Sequence, residues 1–166
     1  LPGSKSAIDT SNPYMLKTGI FTDVVYMNSD FIKNKRKVAL DMLRARWDSI
    51  GWWHDHTKEG NQIMAEKLRW PIEDVESVIG TNGKYLTGGI YMYDFDEAAR
   101  ACGVLEGDAP FGLGHGIMGQ VTKTINEWWV RLGLMKTVND PSAGIDCSLL
   151  GDLVSAGYRQ SLTENK

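Results

Sequence analysis

A chain of 166 residues with 42% hydrophobic and 23% charged side chains is ordinary for a soluble globular protein, and it fits one domain or one lobe of a larger one. Its net charge of −3 is split as 11 basic and 11 acidic residues over 1–83, then 7 and 10 over 84–166, without the basic excess expected of a nucleic-acid binder. No apolar run approaches the roughly 20 residues that cross a bilayer, so the chain does not read as membrane-spanning, and no charged-then-apolar signal peptide is visible at its start.

Residues 1–18 are rich in Ser, Gly, Pro and Thr and read as a lead-in loop. Gly19 to Met27 is nearly continuous in apolar and β-branched character, as for a strand covered on both faces. Asp23 interrupts it. A carboxylate there must be paired or hydrogen-bonded, either to a ligand or hinge or as a backbone cap at the strand entry. Asn28-Ser29-Asp30 is turn and capping chemistry.

From about Phe31 to His54 the pattern is helical. One row holds Val38, Met42, Ala45 and Ser49, the next Ala39, Leu43, Trp47 and Ile50, so a broad apolar face is expected. Lys37–Asp41 and Arg44–Asp48 fall at i,i+4 on the outside. Thr57 is placed to cap a second helix with Ile63, Met64 and Leu68 inward. Pro71 suits the first turn of a third, with Ile72, Val75, Val78 and Ile79 apolar.

Ile90 to Tyr93 is extended or a weak strand, and Asp94-Phe95-Asp96-Glu97 resembles a capping box opening a short helix to Cys102. Gly103 to Gly116, with five glycines and a proline, is a long loop. Ile117, Val121, Ile125, Trp128 and Leu132, at spacings of 4, 4, 3 and 4, predict a helix that Gly133 stops. Asp146 caps a final helix using Leu149, Leu150, Leu153 and Val154, and Ser161 to Lys166 is a tail. Cys102 and Cys147 either form one disulfide or sit as separate buried thiols.

Chemical motifs are few. Gly114-His115-Gly116-Ile117-Met118-Gly119 has the spacing of a dinucleotide loop, but no strand precedes it and no βαβ unit surrounds it. A flexible lead-in to the next helix, or an anion contact at that helix start, fits its context better. His54-Asp55-His56 lacks the i,i+4 spacing of a helical zinc pair and reads as solvated residues at a helix end. Lys33, Lys35, Arg36 and Lys37 read as a solvated basic face, and their repulsion with the helix dipole places the start of the helix proper after them. No nucleophile has a recognisable motif, and neither cysteine has reactive surroundings.

From about Thr18 to Leu150 the chain resembles the late part of bacterial solute-binding proteins of ABC importers, in the nitrate, sulfonate and taurine group. Asp23-Val24-Val25-Tyr26-Met27, the turn Ser29-Asp30-Phe31-Ile32, Trp52-Trp53 and Glu59-Gly60-Asn61-Gln62-Ile63-Met64-Ala65 carry that likeness early. Trp128-Trp129-Val130-Arg131-Leu132-Gly133-Leu134, Pro141 and Asp146-Cys147-Ser148-Leu149-Leu150 carry it late.

The resemblance implies an α/β fold, predominantly helical with few strands: the C-terminal portion of a type II periplasmic-binding-protein-like fold. One domain would cover residues 19–160, between the lead-in and the tail. Only 21 residues precede Thr22, so most of the family's ligand cleft is expected outside this sequence. The implied function is noncatalytic binding of a small organic or inorganic solute, anions included, outside the cytoplasmic membrane, with no cofactor or metal. The partners would be that solute and an ABC permease, or an N-terminal segment missing from this chain. Tyr14, Thr18 and Asp23 are the implied ligand contacts. The competing expectation is a noncatalytic protein-interaction module derived from the same fold. An enzyme is a third, with no constellation of residues behind it.

Overall fold

The computed structural model describes residues 25–83, 91–140 and 144–159. Among them the regular elements are helical: α1 Ser29–Asn34, α2 Arg36–Asp55, α3 Thr57–Leu68, α4 Ile72–Ile79, α5 Phe95–Ala101, α6 Ile117–Arg131 and α7 Ser148–Ser155, with a 3-10 turn at Pro110–Gly112.

The expected α/β fold is therefore corrected. Among the described residues there is no strand, and the sole β-type pairing is an isolated bridge between Ala109 and Leu113. A strand needs a neighbour to take its backbone hydrogen bonds. Residues 25–28, which include the described end of the expected Gly19–Met27 strand, have none among the described residues and lead into α1 instead. Asn28 is extended (φ −65°, ψ 133°), and its side chain accepts from the N–H groups of Asp30 and Phe31, which spends this segment on a cap. The rest of the expected strand lies outside the described residues.

The α1–α2 break falls at Lys35 (φ −131°, ψ 36°), so the long helix starts among the basic residues and not after them. Arg36 explains this. Its guanidinium bonds the Asp152 carboxylate at 2.7 Å and Ser148 Oγ at 3.1 Å, tying the start of α2 to α7. Lys37 bonds Asp41 at 2.7 Å as expected. Arg44 also bonds Asp41, at 3.3 Å, while Asp48 accepts from the Tyr158 hydroxyl at 2.7 Å, so the Arg44–Asp48 pair is replaced. Burial, and then the bond to Asp48, push the Tyr158 phenol pKa upward.

The main core gathers Ala39, Leu43, Trp47 and Ile50 of α2, Phe95 of α5, and Leu149 and Leu153 of α7. Trp47 meets Phe95 edge-on at 6.1 Å between centroids, and Phe95 meets Tyr158 at 4.8 Å. Such pairs add to the burial of their area. The neighbouring row does not join this core: Val38 is 47% and Met42 53% exposed. A helix this long turns only one side to a given partner layer, and α5 and α7 lie on the Ala39 side. In α3, Ile63 and Leu68 are likewise exposed, leaving Met64 half-buried, because α3 meets its neighbours through Thr57, Gly60, Asn61 and Ala65. In α6 the periodic row grades from buried Val121 to exposed Trp128 and Leu132.

A smaller core of Ala101, Ala109 and Leu113, with Tyr93, Ile117 and Met118 against it, seats the glycine-rich loop on α5 and α6.

Candidate functional site

The residues expected to contact ligand, Tyr14, Thr18 and Asp23, lie outside the described residues. Three arrangements within the described chain concentrate polar or covalent contacts: an aromatic–carboxylate cluster at the start of α5, a polar junction between α2, α3 and α4, and a disulfide.

The cluster begins with a cap. Asp94 is extended and its carboxylate accepts the Glu97 N–H at 2.7 Å, while Glu97 accepts the Asp94 N–H at 2.9 Å, completing the capping box expected from Asp94-x-x-Glu97. Glu97 then does a second job. Its other oxygen accepts the Tyr91 hydroxyl at 2.6 Å. These bonds fold the 91–94 segment onto α5, which is why it forms no strand. Tyr91 meets Tyr93 edge-on at 5.8 Å and Phe111 at 4.8 Å, so the ring whose hydroxyl donates to the half-buried Glu97 carboxylate also packs on two other half-buried rings. Phe111 is held with φ 65°, a left-handed backbone that bulky residues rarely adopt.

Burial, then the bond to Glu97, raise the Tyr91 pKa, and burial raises that of Tyr93. Both phenols thus stay protonated at neutral pH and offer hydroxyl and ring contacts, not a base. Burial also lifts the Glu97 carboxyl above the usual glutamate range, against the bonds from Tyr91 and Asp94 that pull it down. With both carboxylate oxygens engaged, Glu97 acts as a brace. Asp94→Ala is expected to cost about 1 kcal/mol of folding stability in urea denaturation, with Asp94→Asn much closer to the parent.

The junction centres on Asn61, which is 0% exposed. Its amide oxygen accepts the Trp53 indole N–H at 2.8 Å and its amide nitrogen donates to the Gly80 carbonyl at 2.8 Å. Gly60 lets the helices close: a Cβ there would sit 2.6 Å from Trp53 Cδ1. Gly83, at φ +65°, closes the far side against His54 and Thr57. Thr57 Oγ1 donates to the Trp53 carbonyl at 3.1 Å, so it binds the end of α2 instead of capping α3. His56 stacks on Trp52 at 4.8 Å and its Nδ1 lies 3.0 Å from the Trp52 carbonyl. The histidines here therefore pack on the helix end. Among the described residues, no three His, Cys, Asp or Glu side chains gather as a metal site.

The G-x-G-x-x-G loop has a packing explanation. Gly116 is left-handed (φ 69°), its N–H donates to the Arg100 carbonyl at 2.9 Å, and a Cβ on Gly103 would come 3.3 Å from Gly116 Cα. Glycines at these two positions let two backbone segments approach.

Cys102 and Cys147 are joined by a disulfide, with Cα atoms 5.9 Å apart. It links the end of α5 to the residue before α7. Asp146 accepts the Ser148 N–H at 2.9 Å beside it, but from one residue before the N-cap, which is Cys147, so the expected Asp146 cap is displaced by one position. Burial and pairing of Trp53, Asn61, Tyr91 and Glu97 carry the local order, yet only Asp94-x-x-Glu97 signals any of it in sequence. The Tyr91–Glu97 and Asn61–Gly80 contacts span 6 and 19 residues and obey no helical or strand period.

No protein-family model, curated protein or solved structure matches the chain.

Proposed function

We propose that this chain is a solute-binding component of an ABC importer, or a piece of one, that binds a small organic or inorganic solute, anions included, without transforming it. The observation that carries this reading is the Trp53–Gly60–Asn61 junction. Among the motifs whose order carries the resemblance, Trp52-Trp53 and Glu59-Gly60-Asn61 pack together, with Gly60 under the Trp53 ring and Asn61 bridging Trp53 to Gly80. The disulfide supports a location outside the cytoplasmic membrane, periplasmic or otherwise extracytoplasmic, since such bonds persist in oxidising compartments. Tyr14, Thr18 and Asp23 are the proposed ligand contacts, and the delivery partner is an ABC permease.

Thermal unfolding in the presence of nitrate, sulfonates, amines and carboxylates tests the reading. A ligand at 100 times its Kd adds about 2.7 kcal/mol to stability, a shift of several degrees. One solute class is expected to produce it; silence from all four, on the longest natural chain carrying this sequence, contradicts binding.

A second reading, a noncatalytic protein-interaction module, is favoured by the exposed Val38 and Met42 on α2. The intact mass of the natural product separates the two. A product much longer than this sequence favours the importer, and one of this length favours the module.

A further inference from the structure

Five exposed large hydrophobic residues fall within the eleven positions from Trp128 to Val138, at the end of α6 and the turn that follows it. Between Trp128 and Val138 the sequence is WWVRLGLMKTV, with two cations, Arg131 and Lys136, and no anion. Trp128, Trp129, Leu132, Leu134 and Val138 are all exposed, Leu132 and Leu134 at 66% and 69%. Surfaces of this kind seldom go unused.

The segment is preorganised. Gly133 is left-handed (φ 72°), its N–H donates to the Val130 carbonyl at 3.0 Å, and the Leu134 N–H donates to the Trp129 carbonyl at 2.9 Å. Those two bonds are the Schellman closure of a helix C-terminus. They fix Leu132 and Leu134 on either side of a tight turn. The Arg131 guanidinium lies 5.2 Å from the Trp128 ring centroid, which holds a cation beside an indole. Lys123 on α6 lies further back, Glu127 directly precedes the segment, and Asp140 lies two residues beyond it.

We propose that Trp128 to Val138 is a shallow anchor that docks the protein reversibly on an anionic lipid surface. The chemistry of each part fits a headgroup boundary. Indoles settle at headgroup depth, the two leucines reach the acyl boundary, and Arg131 and Lys136 meet lipid phosphates. The lack of an acidic residue between 128 and 138 distinguishes this patch from the mixed-charge α2 surface around Asp41, Arg44 and Asp48. No helix among the described residues is long and apolar enough to cross a membrane, and surface docking requires none. Lipid docking is independent of solute binding, so its failure leaves the importer reading untouched.

The test is co-sedimentation of the full chain with vesicles of phosphatidylcholine alone or enriched in phosphatidylglycerol, compared with Leu132→Glu/Leu134→Glu. Both leucines are exposed, so the double variant should fold, which circular dichroism verifies. The parent is expected to pellet with the anionic vesicles, less so as salt is raised. Its partitioning should drop about tenfold in the double variant and on pure phosphatidylcholine. Equal partitioning of parent and variant overturns the proposal, as does no pelleting with anionic vesicles. Light scattering that shows a dimer dissolved by the same two substitutions would also overturn it, by assigning the patch to a second copy of the chain.

Discussion

Reducing the Cys102–Cys147 disulfide is expected to lower folding stability by about 4 kcal/mol, the loop-entropy value for two residues separated by 45 positions. Much of the intervening chain is loop, including the glycine-rich stretch after α5 and the turn after α6. Uncrosslinked, that chain has wide freedom in the unfolded state. The bond also joins the two elements that deliver Phe95, Leu149 and Leu153 to the main core, so its loss acts where α5 and α7 meet α2. Urea denaturation with and without reductant measures the effect, and Cys102→Ser/Cys147→Ser should reproduce the reduced protein. A loss below about 1 kcal/mol would mean that packing alone holds α7 in place.

The second large effect is at Asn61. Asn61→Ala should cost about 3 kcal/mol, because it strands both the Trp53 indole N–H and the Gly80 carbonyl in a buried site. Asn61→Asp should be worse. It keeps an acceptor for Trp53 but turns a carboxylate oxygen toward the Gly80 carbonyl and buries a charge there. Gly60→Ala belongs in the same series, since its methyl would require movement of the Trp53 ring. Chemical denaturation of the three variants, read by tryptophan fluorescence, orders them. Near-parent stability for Asn61→Asp would contradict the hydrogen-bond assignment.

Periods and caps were legible in the sequence. The Ala39–Leu43–Trp47–Ile50 row, the Asp94–Glu97 capping box, the start of α6 at Ile117 and the stop at Gly133 are all fixed by local spacing. Which of two apolar rows would find a partner was not legible. Val38 and Met42 are as apolar as Leu43, and only the placement of α5 and α7 decides between them. The same applies to Ile63 and Leu68, left outside because Asn61 and Gly60 make the contact. The expected α/β architecture failed because strand propensity says nothing about a pairing neighbour, and residues 25–28 and 91–94 spend their polar groups on helix caps and side chains. The disulfide was open in the sequence, since two cysteines 45 residues apart carry no pairing information.

The proposed ligand contacts depend on one carboxylate more than on any other group. Isothermal titration of the natural chain and of Asp23→Ala, against the solute that raises the melting temperature, tests the importer reading most directly. The prediction is saturable one-to-one binding by the parent and, for an amine solute, at least a tenfold weaker Kd for the variant, equivalent to losing about 1.4 kcal/mol or more of contact energy, whereas an anionic solute, which the carboxylate repels, should bind the variant no more weakly than the parent. Absence of saturable binding by the parent to any of the four solute classes would contradict it.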